Sequence, residues 1–171
     1  MLRIIFTYGT IAGFVIIVVN TVSMELGHGH VWLGFLVMFI AFSTIFVAIR
    51  QYRDTTLGGV ITFSNALLMG FGISAIAAVV YVTTWEIYLA ATDYGFIDAY
   101  VNSLVEAKTP DGASQAEIAG AVADAEQFRE QYMNPLFRLP MTVLEVLPVG
   151  LMISLISAFV LRNHGTVRNS N

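Results

Sequence analysis

Four long stretches of the chain are almost uninterruptedly apolar, and they cover about residues 4–22, 31–49, 66–91 and 139–161. A bilayer core about 30 Å thick is crossed by roughly 20 residues of α-helix, so each stretch is long enough to span a membrane. Because backbone amides in lipid must find hydrogen-bond partners within their own segment, each stretch is expected to be a helix. The pattern predicts an all-α integral membrane protein built as a four-helix bundle.

A polar segment, about residues 93–138, separates the third and fourth spans. Apolar residues recur at helical spacing over residues 96–105, and residues 109–112 read Thr-Pro-Asp-Gly, a turn sequence. Ser114 followed by Glu117 is the signature of a capping box, which predicts the start of a second helix. The segment is therefore expected to be a helical hairpin inserted on the outer side of the membrane.

Composition agrees with a membrane location and removes several classes of function. The chain is 57% hydrophobic and 12% charged, whereas ordinary globular chains are about 25% charged. It has no cysteine, which excludes disulfides, thiolate metal sites and cysteine nucleophiles. A net charge of −4 with scattered basic residues argues against a nucleic-acid partner. Phosphate-loop, His-Glu-x-x-His and Gly-x-Ser-x-Gly motifs do not occur, so neither an enzyme nor a cofactor is predicted.

The charges also predict the orientation of the spans. Five arginines fall on one side of a four-span layout with Asp54 as the single acid there, whereas the polar segment has eight acids against three basic residues. Because arginine and lysine in short loops stay on the cytoplasmic side, both termini are expected in the cytoplasm. The first apolar run is longer than a usual secretory signal core and is interpreted as a retained span. The five arginines are Arg3, Arg50, Arg53, Arg162 and Arg168.

Two glutamates lie within or beside the predicted spans, where ionisable side chains are rare and often functional. Glu86 is about six residues before the end of the third span and Glu145 about six residues after the start of the fourth, so a similar depth is expected. Carboxylates that face one another would suit a proton relay or a bound cation. Alternatively, both lie at headgroup level beside Trp85 and pair with Arg138, an amide or water. Both interpretations stay open.

A short turn between the first two spans contains Glu25, His28 and His30, which together form a conceivable zinc or copper set. Gly27 and Gly29 flank His28 and make the turn flexible rather than pre-ordered for a metal ion. The histidines are therefore interpreted as exposed turn residues, and no metal site is predicted.

Three spans contain small residues four positions apart, a spacing that lets membrane helices pack closely. The expected role is packing within the bundle, with homo-oligomerisation as the alternative. In the fourth span Pro148 lacks a backbone donor and is expected to kink the helix within one turn of Glu145. The small-residue positions are Gly9 and Gly13, with Asn20 on the same face, then Gly70, Ser74 and Ala78, and finally Gly150, Ser154 and Ala158.

One block of sequence is distinctive: residues 132–142 read Tyr-Met-Asn-Pro-Leu-Phe-Arg-Leu-Pro-Met-Thr and are followed by Glu145 and by Pro-Val-Gly at 148–150. Together with Gly-Gly-Val-Ile-Thr-Phe at 58–63 and the Trp-Glu pair at 85–86, it resembles a bacterial membrane-protein family, domain of unknown function 4199. The likeness covers nearly the whole chain in layout. It implies a four-span inner-membrane protein with a helical periplasmic insertion, and it implies no activity and no catalytic residue.

Two functional hypotheses follow. The first is a small accessory or scaffold protein that acts through helix packing and its acidic hairpin, with a membrane or periplasmic protein as partner besides the lipid bilayer. The second is a minimal dimeric transporter, coupled to protons or cations, in which Glu86 and Glu145 bind the ion. An intramembrane enzyme is the least favoured reading because no nucleophile motif occurs.

Overall fold

The computed structural model describes residues 1–25, 31–109 and 113–163, and these residues form six helices and no strand. Within them, α1, α2, α3 and α6 are each long and apolar enough to cross a membrane, which indicates a membrane protein. The prediction of an all-helical chain with four candidate membrane spans is confirmed for this part of the sequence. The helices are α1 (Leu2–Glu25), α2 (Val31–Thr56), α3 (Phe63–Ala91), α4 (Gly95–Lys108), α5 (Gln115–Met133) and α6 (Pro135–Leu161).

The spans are longer than the apolar stretches that predicted them. The clearest case is α6, which begins at Pro135 rather than near residue 139. Asn134 caps this helix, since its Oδ1 accepts a hydrogen bond from the backbone N–H of Leu136 at 3.0 Å. Proline suits the first helical position because its missing N–H would have no partner there. Pro148 lies inside α6, and the helix continues past it to Leu161.

The chain divides into two compact units. We call Met1–Thr84 with Val143–Asn171 the span unit, and Trp85–Thr142 the hairpin unit. The span unit contains α1, α2, most of α3 and most of α6. The hairpin unit contains the end of α3, the packed pair α4 and α5, and the start of α6.

In the span unit, α1 and α3 approach each other closely at two glycines of α1. A Cβ atom added at Gly13 would stand 2.6 Å from the carbonyl oxygen of Ala77, and one at Gly9 would stand 2.8 Å from that of Ile73. Real Cβ atoms do not approach backbone oxygens this closely. The two helices therefore touch backbone to backbone at these positions, as small residues in membrane helices allow.

The contact between α3 and α6 uses the same glycine-serine spacing on both helices. A Cβ at Gly70 would lie 2.7 Å from the Cβ of Ser154, and a Cβ at Gly150 would lie 2.8 Å from that of Ser74. Each buried serine hydroxyl donates to the carbonyl of the glycine one turn earlier, at 2.9 Å for Ser74 and 2.7 Å for Ser154. Both hydroxyls thus have acceptors within their own helices, and both small-residue faces are occupied inside the span unit.

Apolar side chains fill the core of the span unit and also cover its surface. In α2, Met38, Phe42 and Ile45 are almost fully buried, whereas Trp32 is 84% exposed and Ile40 is 61% exposed. A helix that is apolar on its buried and its exposed faces is typical of a membrane span.

In the hairpin unit, α5 begins with the capping box that the sequence predicts. The Ser114 hydroxyl accepts from the backbone N–H of Glu117 at 3.3 Å, and the Glu117 carboxylate accepts from the backbone N–H of Ser114 at 2.7 Å. These two bonds satisfy two donors that a helix N-terminus otherwise leaves unpaired.

The same hydrogen bonds predict the acid response of α5. The hydroxyl and backbone N–H of Ser114 hold the pKa of Glu117 below the ordinary glutamate value. A lowered folded-state pKa means that the carboxylate stabilises α5 above its unfolded pKa and that this contribution is lost as the pH falls through the folded pKa. We expect an NMR titration of the Glu117 carboxyl, in the detergent-solubilised chain, to have its midpoint below that of glutamate in an unstructured peptide. The S114A variant should move the midpoint up, and identical midpoints would contradict the prediction.

Candidate functional site

Glu86 and Arg138 form a bidentate ion pair in the hairpin unit. The Arg138 Nε donates to Glu86 Oε1 at 2.7 Å, and Nη2 donates to Oε2 at 2.6 Å. The Arg138 side chain is 2% exposed and that of Glu86 is 28% exposed. Two parallel bonds between the planar groups give the strongest geometry for an arginine–carboxylate pair. Both carboxylate oxygens of Glu86 are thus engaged by one guanidinium.

The Arg138 guanidinium also contacts a backbone carbonyl and two aromatic rings. Nη1 donates to the carbonyl of Tyr132 at 2.9 Å. Its Cζ lies 5.4 Å from the ring centroid of Tyr94 and 5.8 Å from that of Tyr132, within the range of cation–π attraction. Arg138 therefore connects the end of α3, the turn after it and the end of α5.

The turn after α3 places Tyr94 against this arginine. Asp93 and Tyr94 have φ values of 49° and 59°, in the left-handed region that aspartate tolerates better than tyrosine. The backbone N–H of Tyr94 donates to the carbonyl of Leu89 at 2.9 Å, which closes the last turn of α3. Strained residues of this kind persist where surrounding contacts hold them. For Tyr94 the contact is its ring against the Arg138 guanidinium.

Aromatic side chains form a closed circuit through the hairpin unit, which we call the aromatic cluster. Ring centroids of successive members lie 4.9 to 5.8 Å apart, and the Trp85 Nε1 donates to the Tyr132 hydroxyl at 3.0 Å to close the circuit. The expectation that Trp85 sits at headgroup level did not include this packing, which leaves Trp85 6% exposed. The cluster consists of Trp85, Phe96, Tyr100, Phe128 and Tyr132.

A groove of about 560 Å³ opens on the hairpin unit, along α4, α5 and the turn that precedes α4. The Arg129 guanidinium lies 2.8 Å from Asp98 and 3.8 Å from Glu126, so these acids are partly neutralised. Asp93 and Glu130 form no ion pair within the described residues. The groove therefore has an excess of negative charge, and apolar side chains also contribute to its lining. Its lining comprises Asp93, Asp98, Glu126, Arg129 and Glu130 with the less polar Tyr94, Ile97 and Met133.

Glu145 belongs to the span unit and has a different kind of partner. The Tyr81 hydroxyl donates to its Oε1 at 3.5 Å, a long distance for a bond between a hydroxyl and a carboxylate. The residue is exposed on α6. The structure thus gives Glu86 an arginine and Glu145 a tyrosine, each within its own unit.

The other candidate residues from the sequence have varied positions. Asn20 on α1 lies opposite Gly34 of α2, with its Oδ1 3.6 Å from where a Cβ of Gly34 would be. His28, His30 and the side chain of Glu25 lie outside the described residues. Within the described residues, no group of three or more His, Cys, Asp or Glu side chains could hold a metal ion.

Sequence reasoning named Arg138 as one partner among several for the glutamates, but it missed the aromatic cluster, of which Tyr132 contacts this arginine. A signal for the cluster was present. Phe96 and Tyr100 are one helical turn apart in α4, and Phe128 and Tyr132 are one turn apart in α5, so each pair shares a helix face. The packing of α4 on α5 decides that these two faces meet each other.

Comparison with known protein families matches residues 7–163 to a family described as protein of unknown function (DUF4199). The matched segment includes Glu86, Arg138, Glu145 and the whole groove. No curated protein and no solved structure matches the chain significantly. The chain therefore belongs to the DUF4199 family of proteins of unknown function.

Proposed function

We propose that the protein is a small accessory or scaffold protein of a bacterial inner membrane, anchored by its four spans, that presents the hairpin unit to a partner protein. In this proposal both termini are cytoplasmic and the hairpin unit is periplasmic. The support for this orientation is the charge pattern, with five arginines and one acid on one side against eight acids in the hairpin segment.

The observation that carries the proposal is the groove on the hairpin unit. Four carboxylates and one arginine line it, and the apolar part of its lining includes Met133, which is 46% exposed. Charged side chains beside exposed apolar ones are usual in protein-binding surfaces. By charge complementarity, the partner would present a basic segment, with lysine or arginine opposite Asp93 and Glu130 and an apolar side chain opposite Met133.

The bracing of the hairpin unit supports the same proposal. Binding is tighter when a surface is already ordered, because less conformational entropy is lost on association. The α4–α5 pair is crosslinked by ion pairs of Lys108 with Asp124 at 2.9 Å and Arg129 with Asp98 at 2.8 Å, and the aromatic cluster packs between the helices. Because the Glu86 carboxylate is engaged by Arg138, its supported role is to brace this unit.

Site-specific photocrosslinking in cells tests the proposal. A photoreactive residue at Met133, on the groove, is expected to give one discrete crosslinked protein, whereas the same residue at Ala119, on the exposed face of α5, should not. Neutralising the groove in a D93N/E130Q variant should lower the crosslink yield about fivefold, because rim charges mainly accelerate association. The control E106Q removes an exposed charge that does not line the groove. Equal yields in D93N/E130Q and E106Q would contradict the proposal.

A proton- or cation-coupled transporter is the second candidate, and Glu145 is the observation that favours it. An exposed carboxylate within a span, with only a long contact to the Tyr81 hydroxyl described for it, fits an ion-binding role. Four spans are few for a transport path, so this candidate requires a dimer. In proteoliposomes it predicts flux that E145Q abolishes. Unchanged proton and metal flux in the E86Q/E145Q double variant would exclude it.

A further inference from the structure

We infer that Arg162, immediately after α6 in the span unit, binds a phosphate group at the membrane surface, and that this phosphate belongs to a phospholipid headgroup. Arginine has a planar fork of donors that matches phosphate oxygens in pairs. A free phosphate ion offers the same chemistry, so the experiment below separates the two sources.

The first observation is an unmet donor on Arg162. Its Nε is buried and has no hydrogen-bond partner among the residues that the structure describes. No ion pair involves this residue in the part of the chain that the structure describes. A buried donor on a charged group costs more when unpaired than a neutral one, so compensation of this charge from outside falls to the remaining donors, Nη1 and Nη2. Among the described residues, no carboxylate thus balances the charge of the Arg162 guanidinium.

Two phenylalanine rings define where that anion would bind. The Arg162 Cζ lies 4.2 Å from the ring centroid of Phe159 and 6.0 Å from that of Phe63. The rings attract the cation at these distances. The residue as a whole is partly exposed, so an anion in the surrounding medium can approach it. With Nε covered, the terminal Nη atoms form the edge at which phosphate oxygens would bind.

The backbone around Arg162 is anchored, so the guanidinium starts from a defined position. The N–H of Asn163 donates to the carbonyl of Ile61 at 3.1 Å, and the N–H of Ile61 donates to Asn163 Oδ1 at 3.2 Å. This reciprocal pair ties the residue after Arg162 to the segment that leads into α3. An ordered arginine loses less side-chain entropy on binding than a free one.

Charge and position indicate a lipid phosphate rather than a carboxylate of the residues that the structure describes. Asp54, in the last turn of α2, is already paired with Arg53 of the same helix at 2.7 Å and with Arg50 at 3.6 Å. The apolar span of α6 ends at Leu161, and Arg162 is the next residue. A basic side chain directly beyond a span lies at the level of the lipid headgroups. The ligand with phosphate at that level is the phospholipid itself.

Lipid titration of the purified full chain, followed by native mass spectrometry, tests the inference. We expect short-chain phosphatidylglycerol to bind and diacylglycerol, which lacks the phosphate, not to bind at this site. In R162Q the affinity for phosphatidylglycerol should fall about fivefold, the effect typical of one basic residue at an anionic surface. The matched control R3Q removes another arginine at a span end; because Arg3 is exposed and has no described contact with an aromatic ring, R3Q should lower the affinity less than R162Q does.

Further arms of the experiment fix the source of the phosphate and guard against misfolding. The R162K variant keeps the charge without the planar fork and should bind phosphatidylglycerol with intermediate affinity. Inorganic phosphate at equal concentration should not displace the lipid. Equal lipid binding by wild type and R162Q, or equal losses in R162Q and R3Q, would overturn the inference. Displacement of the lipid by inorganic phosphate would overturn its assignment to a headgroup.

Discussion

An R138M variant is expected to lose about 3 kcal/mol of the free energy of unfolding of the hairpin unit, because removing one member of a buried ion pair strands its partner. Arg138 is 2% exposed, but Glu86 is 28% exposed, so the expected loss is at the low end for buried pairs. The variant also removes the hydrogen bond to the Tyr132 carbonyl and the cation–π contacts. Denaturant unfolding of the detergent-solubilised chain measures the change through the fluorescence of Trp85, on a W32F background that leaves Trp85 as the sole tryptophan.

Two companion variants separate the stranded charge from general damage. The double variant E86Q/R138M removes both charges and should recover part of the loss, because no carboxylate is left without its cation. R129M breaks the exposed ion pair with Asp98 and should cost less than about 1 kcal/mol. If R138M and R129M destabilise the hairpin unit equally, the Glu86–Arg138 pair does not brace it.

A G13A variant is expected to destabilise the span unit by about 1–3 kcal/mol, the usual cost of overpacking. The added Cβ would stand 2.6 Å from the Ala77 carbonyl oxygen and 3.1 Å from the Ala77 Cα, and backbone atoms of a helix cannot move aside alone. The helices α1 and α3 would have to separate along their contact. Thermal or SDS-induced unfolding, followed by circular dichroism, measures the change.

The matched control is G34A, the same substitution on another helix of the same unit. Its Cβ would lie 3.6 Å from the Asn20 side chain, an ordinary van der Waals contact. Alanine is the better helix former by about 1 kcal/mol, so this variant should be neutral or slightly stabilising. Destabilisation of equal size in G13A and G34A would show that backbone contact between α1 and α3 is not the cause.

The two units are stabilised by different kinds of contact. In the span unit, glycines allow helix backbones to touch, and the buried serine hydroxyls donate hydrogen bonds to carbonyls of their own helices. The glycine face of α1 packs on α3, and the glycine-serine faces of α3 and α6 pack on each other. A dimer of this chain would therefore need a different surface. In the hairpin unit, a buried arginine and a ring of aromatic side chains support a groove with unneutralised carboxylates.

Local sequence was sufficient for some features and not for others. The capping box at Ser114 and Glu117 was predictable because both partners lie within one helical turn. The start of α6 at Pro135 was not, because hydropathy marks only the apolar part of a helix and not its polar first turn. The ion pair of Glu86 was predicted only as one option among several. Its partner Arg138 lies 52 residues away along the chain, and local sequence does not specify such a contact.

The sequence by itself was sufficient to predict the helices of the described residues and their four candidate membrane spans, because an apolar run of about 20 residues has one way to satisfy its backbone in lipid. It also determined where the charges concentrate. Only the tertiary structure decided that Glu86 meets Arg138, that Glu145 meets Tyr81, and that aromatic rings from three helices form one cluster. These contacts join residues far apart in the chain, and helical periodicity specifies which face a side chain occupies but not which face it meets.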